Sequence, residues 1–124
     1  MKILIVENEV YLAQSINAKL TEYGHNCEIA NSNKEALKDE YYDLVLLSTN
    51  VNSQDFDPVI SMHKHSIIIL MISYISNDTV TKPINKGAND YILKPFMLEE
   101  LIRKIDHFQE FEHLKNQNIA YENY

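Results

Sequence analysis

Cysteine is nearly absent: Cys27 stands alone among 124 residues. A single thiol excludes a disulfide framework and a thiolate metal site, and it fits a reducing cytoplasm. Within Cys27-Glu28-Ile29-Ala30 it reads as a small strand hydrophobe. Basic residues are scarce as well, with 11 Lys and Arg against 18 Asp and Glu, for a net charge of -7. Nucleic-acid backbones are gripped by clusters of Lys and Arg, so the charge argues against direct DNA or RNA binding by this segment. The acidic excess serves solubility. Long apolar runs are lacking too. The run that follows Met1-Lys2 is too short for a signal peptide or a membrane span. No repeats or low-complexity stretches occur. The histidines form no metal or phosphotransfer arrangement: neither His63 with His65 nor His107 with His113 shares a helical face. With His25, all are expected on the surface.

What is present is a hydrophobic content of 45%, enough for one core and one domain at this length. Short apolar runs alternate with longer amphipathic stretches. Ile3 to Val6 is of strand length. Val10 to Tyr23 carries Leu12, Ile16 and Leu20 at helical spacing, with Gly24 at the C-terminal cap. Cys27 to Ala30 is a second strand, and Asn33 caps a short helix through Lys38. Leu44 to Leu47 and Ile67 to Ile72 are apolar at every position, as in parallel strands covered on both faces. A short helix is expected from Pro58 to His63, and a fourth from Asn77 to Gly87. Tyr91 to Leu93 is the fifth strand, and a long helical pattern runs from Met97 through Phe108. Strand alternating with helix five times predicts an open α/β sheet.

Four segments carry a more specific signal: Ile3-Leu4-Ile5-Val6-Glu7-Asn8-Glu9, Tyr42-Asp43-Leu44-Val45-Leu46-Leu47-Ser48, Leu70-Met71-Ile72-Ser73 and Asp90-Tyr91-Ile92-Leu93-Lys94-Pro95-Phe96. In that order they resemble the receiver domain of two-component response regulators. The resemblance implies a flavodoxin-like (βα)5 doubly wound parallel sheet with strand order 2-1-3-4-5. It covers residues 1–110, leaving 111–124 as a helix extension or a linker toward an output domain. In such sheets the functional crevice lies at the carboxyl ends of the strands. Glu7, Asn8, Ser48, Ser73 and Lys94 follow strands and are expected to converge there.

In the family, position 48 is the aspartate that becomes phosphorylated. Here it is serine, a poor nucleophile without an adjacent base, and it reads as a structural substitute. Phosphoryl transfer to a carboxylate also needs magnesium, whose preferred ligands are hard carboxylate oxygens. Glu7 remains, but Asn8 and Ser48 are neutral, and the phase of Glu9 relative to the pocket is open. Magnesium binding is therefore expected to be weak or absent, with no other cofactor or metal and no catalytic residue. Ser73 and Lys94 match the family's hydroxyl and lysine. Lys94, which would face three carboxylates in a competent receiver, is expected to pair with Glu7. Asp55 and Asp57 are candidate surrogate acceptors, and alternatively help start the helix at Pro58. The loop after Ser48 lacks the family's Pro and Gly. The 25 residues from Ser48 to Ser73 are fewer than a receiver normally has, whereas the 21 from Ser73 to Lys94 are ordinary. Lys94-Pro95 matches a pair that is typically cis in the family.

Tyr91 occupies the position of the family's switch aromatic, and Tyr74 replaces a small residue beside Ser73. The fourth helix, fifth strand and fifth helix form the usual dimer face, which would place Asp90, Glu100 and Lys104 near an interface. Past Phe108 the chain carries Phe111, Leu114, Ile119, Tyr121 and Tyr124, and Asn116-Gln117-Asn118 reads as a fraying end. The expected function is that of a cytoplasmic, atypical, non-enzymatic receiver. It would act without phosphorylation, by homodimerisation or contact with a histidine kinase or other signalling protein, and would reach DNA only through an output domain. The alternatives are a stand-alone adaptor, a phosphotransfer domain with a relocated acceptor, and a small-ligand sensor for which the sequence names no ligand.

Overall fold

The computed structural model describes residues 1–49, 56–73 and 87–122, with the backbone alone at position 56 and over 111–122. Five parallel strands, β1 (Lys2–Val6), β2 (Asn26–Ala30), β3 (Leu44–Ser48), β4 (Ile67–Ile72) and β5 (Asp90–Leu93), form one sheet in the order β2-β1-β3-β4-β5. That is the order the receiver resemblance implies. Parallel strands covered on both faces should be apolar throughout, and β4, reading Ile-Ile-Ile-Leu-Met-Ile, is buried at every position.

Side chains alternate between the two sheet faces, and two cores result. Ile3, Ile5, Leu44, Leu46, Ile69, Met71 and Ile92 pack on one face. Ala13, Ile16 and Leu20 of α1 (Val10–Glu22) cover them, together with Leu101, Ile102 and Ile105 of the last helix, Leu98–Glu122. Leu4, Val6, Val45, Leu47, Ile68, Leu70 and Ile72 point the other way, toward Val59 and Ile60 of α2 (Phe56–Met62). The last helix is α3 among the described elements. Gly24 follows the cap of α1 with φ +89, a left-handed conformation that favours glycine.

Several expectations need correction. No second helix forms between residues 33 and 38. Ser32 Oγ accepts the Glu35 N–H at 3.1 Å, and the Glu35 carboxylate accepts the Asn31 N–H at 2.7 Å. This resembles a capping box placed one residue earlier than expected. A single turn follows, with the Ala36 N–H bonded to Ser32 O, and the turn does not propagate because a lone turn fixes many dihedrals for few hydrogen bonds. The third helix is short, as expected, but runs over Phe56–Met62. The expected fourth helix lies outside the described residues apart from Gly87. Ser48 is the last residue of β3 rather than the first after it. The final helix continues unbroken through 116–118 to Glu122, where a fraying end was expected.

Two histidines expected on the surface are buried. His63 donates through Nε2 to Ala36 O at 2.7 Å and meets the Tyr42 ring edge-on. The unpropagated turn supplies the carbonyl that makes this burial tolerable. Tyr42 is itself fully buried, and its hydroxyl donates to Glu28 at 2.5 Å and lies 3.1 Å from Glu40. Burial, then these two carboxylates, push the phenol pKa upward. Glu40 also pairs with Lys2. The amino-terminal end of the sheet is thus closed by polar groups, opposite the end where the site lies.

His25 packs beside the N-terminal ammonium, with Nδ1 3.1 Å from it. Burial and, next, that ammonium hold its pKa below the usual 6.5. The unfolded chain therefore takes up the proton at higher pH than the folded one. The stability due to neutral His25 is complete above about pH 6.5 and falls as the pH drops through the lower folded value. The urea midpoint is expected to fall between about pH 7.5 and about pH 5.5. His25→Asn should flatten that part of the profile, and an unchanged slope would rule His25 out as its source.

Candidate functional site

The strand alternation that builds the core also builds the site. Glu7, Ser48 and Lys94 occupy the next same-phase positions after Ile5, Leu46 and Ile92, on the face covered by α1 and α3. Ladder bonds fix their backbones. The Glu7 N–H donates to Ala30 O at 3.0 Å and the Lys94 N–H to Ile72 O at 2.7 Å. Ser48 pairs in register with Met71. The Lys94-Pro95 bond is cis.

Three side chains meet at this edge. Lys94 Nζ donates to Glu7 Oε2 at 2.6 Å and to Ser48 Oγ at 2.7 Å. The other Glu7 oxygen, Oε1, accepts the Glu9 N–H at 3.1 Å. Glu7 and Ser48 are fully buried, and the Lys94 side chain is 10% exposed. A carboxylate taken this far from water is tolerated only with a counter-charge and hydrogen bonds on both oxygens. Glu7 has both.

Of the five expected site residues, the structure brings Glu7, Ser48 and Lys94 into direct contact. Asn8 and Ser73 are exposed, and Ser73 joins Lys94 in lining a neighbouring cavity of about 580 Å³. Glu9 contributes in two ways: its backbone N–H supports Glu7, and its side chain lines that cavity. Sequence reasoning missed the first role, because a backbone donor leaves no residue signature. It also gave no part in the site to Phe96, Tyr11 or Leu12, which wall the same cavity.

The remaining candidates lie apart. Asp57 is exposed in the first turn of α2, while Asp55 and Tyr74 fall outside the described residues. Asp90 and Lys104 pair with each other at 3.1 Å. Tyr91 is 39% exposed and its N–H donates to Asp90 Oδ1 at 2.7 Å. Glu100 is exposed on α3.

Comparison with known proteins gives the family. Residues 3–106 match the model of the response regulator receiver domain. Transcriptional regulatory protein BasR of Escherichia coli K12 is 33% identical over 114 residues, 85% of this chain and 50% of that protein. Response regulator ArlR of Staphylococcus saprophyticus is 35% identical over 112 residues, 84% of this chain and 50% of that protein. The chain thus spans about half the length of these curated relatives. A CheY-like receiver domain crystal structure from Methanospirillum hungatei JF-1 superposes with a TM-score of 0.83 at 22% identity, covering 92% of this chain and 97% of that one. That likeness concerns the fold. The sheet order, the lysine at the carboxyl edge and the family match over residues 3–106 agree: this chain belongs to the response regulator receiver domain family.

Proposed function

We propose that this is an atypical receiver that signals without phosphorylation, by protein contact rather than by catalysis. The observation that carries the reading is the closed Lys94–Glu7–Ser48 cluster. A competent phosphoryl pocket keeps carboxylate oxygens available for magnesium and a lysine available for the incoming phosphoryl group. Here one buried carboxylate serves both needs internally. Its Oε2 holds Lys94, its Oε1 holds the Glu9 N–H, and the other candidate donors, Asn8 and Ser48, are neutral. This donor set does not fit magnesium, since binding would require breaking a buried ion pair. No chemical step is therefore assigned through a metal, and Ser48 is read as a structural substitute for an acceptor.

The contact surface proposed is the face that carries β5 and the start of α3. Tyr91, Leu93 and Met97 are exposed apolar side chains there, beside the Asp90–Lys104 pair and Glu100. Exposed apolar groups with a charged rim suit association between two copies. A homodimer of this kind would position a DNA-binding output domain. The transcriptional relative BasR, about twice the matched length, supports that role. DNA would be reached through that domain only. A histidine kinase or other signalling protein is the further partner that receiver membership suggests. No described helix is long and apolar enough to cross a membrane, and a cytoplasmic setting suits the lone Cys27, whose thiol burial pushes up to about 11.

Sedimentation velocity across a concentration series, with and without magnesium and acetyl phosphate, tests the reading. The expected result is a dimer whose association is the same in both conditions. A monomer throughout would remove the homodimer, and association that appears only with acetyl phosphate would remove phosphorylation independence.

A further inference from the structure

The cavity beside Lys94 has a chemistry of its own. At about 580 Å³ it lies within the size range of small-molecule sites. Its walls are apolar and aromatic, from Tyr11, Leu12, Pro95 and Phe96. Its polar lining includes Lys94, whose ammonium has three N–H donors. Among the described residues two of them go to Glu7 and Ser48, which leaves the third. The charge on that donor is already balanced by a buried carboxylate 2.6 Å away. An anionic ligand would therefore meet a donor without net charge to offer, with Glu7 behind it and Glu9 at the wall. Like charges close together are disfavoured. A neutral oxygen acceptor meets no such penalty.

We infer that this cavity binds a neutral small molecule with an aromatic or alicyclic body and a carbonyl or amide oxygen. The oxygen accepts from Lys94, and the ring packs between Tyr11 and Phe96. The site rests on the reading of Lys94 as internally neutralised, and it excludes phosphate and carboxylate ligands as a class.

The test uses benzamide and its anionic counterpart benzoate as probes, which differ by one amide group against one charged oxygen. Each is titrated into the ¹⁵N-labelled chain and followed by amide chemical shifts. Saturable benzamide shifts are expected at Leu12, Ser73 and Phe96, with benzoate at least about fivefold weaker, the discrimination a like-charge contact supplies. Phe96→Ala and Tyr11→Ala should each weaken benzamide binding severalfold while the rest of the spectrum keeps its native dispersion. Tyr11 is 82% exposed, so its variant is expected to fold normally. Absence of saturable shifts, shifts centred elsewhere, or equal affinity for benzoate would each overturn the inference. A chain that binds benzamide but also accepts phosphoryl from acetyl phosphate would overturn the phosphorylation-independent reading alone. One that does neither would overturn the ligand site alone.

Discussion

Lys94→Met is expected to lower the unfolding free energy by about 3–5 kcal/mol, the range for removing one partner of a buried ion pair. The magnitude follows from what is left behind. Glu7 is fully buried, and without the Lys94 ammonium its charge has only the Glu9 N–H as a donor among the contacts described above. Desolvation is then uncompensated, or the carboxyl must take up a proton to avoid it. The double variant Glu7→Met/Lys94→Met should be markedly more stable than Lys94→Met alone, because replacing both members of a buried pair with apolar groups removes the stranded charge. The two changes share one interaction, so they should depart strongly from additivity. Urea unfolding of the four species gives the coupling directly. A loss for Lys94→Met within the surface-pair range of about 0–1 kcal/mol would show that the pair does not hold the site closed.

The second large effect is expected from Ser48→Asp. A carboxylate at the end of β3 would sit beside the buried Glu7, with one ammonium to serve both. Without a divalent cation the variant should be less stable than the parent, because like charges are forced together where Glu7 and position 48 are fully buried. Magnesium changes the sign of that effect. Two carboxylates form a donor set of the kind this ion prefers. With a millimolar dissociation constant, about 10 mM magnesium should raise the variant's stability by roughly 1.4 kcal/mol. The parent chain should respond by no more than a few tenths of a kcal/mol, since the buried site carboxylate among the described residues, Glu7, is already paired. Thermal unfolding with and without the ion separates the two. A parent that gains as much as the variant would mean that Glu7 and its neighbours hold magnesium without an acid at position 48.

These expectations depend on features that differ in how visible they are in the chain. The apolar runs Ile3–Val6, Leu44–Leu47 and Ile67–Ile72 are of strand length and alternate with helical patterns, which points to buried parallel strands. The period of two then carries Glu7 and Ser48 to the same face, so their convergence with Lys94 could be anticipated from phase and motif together. The distances could not. Whether a lysine side chain crosses to a carboxylate on another strand depends on packing that no local pattern encodes. The turn at 33–36 misled because its residues do favour a helix start, and the cap at Ser32 forms. What failed was propagation beyond one turn, because a lone turn fixes many dihedrals for few hydrogen bonds. His25 and His63 were misplaced for a related reason. Isolated histidines show no periodicity, and their burial rests on distant partners, the N-terminal ammonium and Ala36 O.

The most direct test of the central claim is intact-mass measurement after incubation with magnesium and acetyl phosphate, with a receiver of known activity labelled in parallel. The closed Lys94–Glu7–Ser48 cluster predicts no added phosphoryl mass under conditions that label the control. A stoichiometric phosphoryl adduct mapped to one residue would contradict it, and would make this chain a phospho-switch with a relocated acceptor.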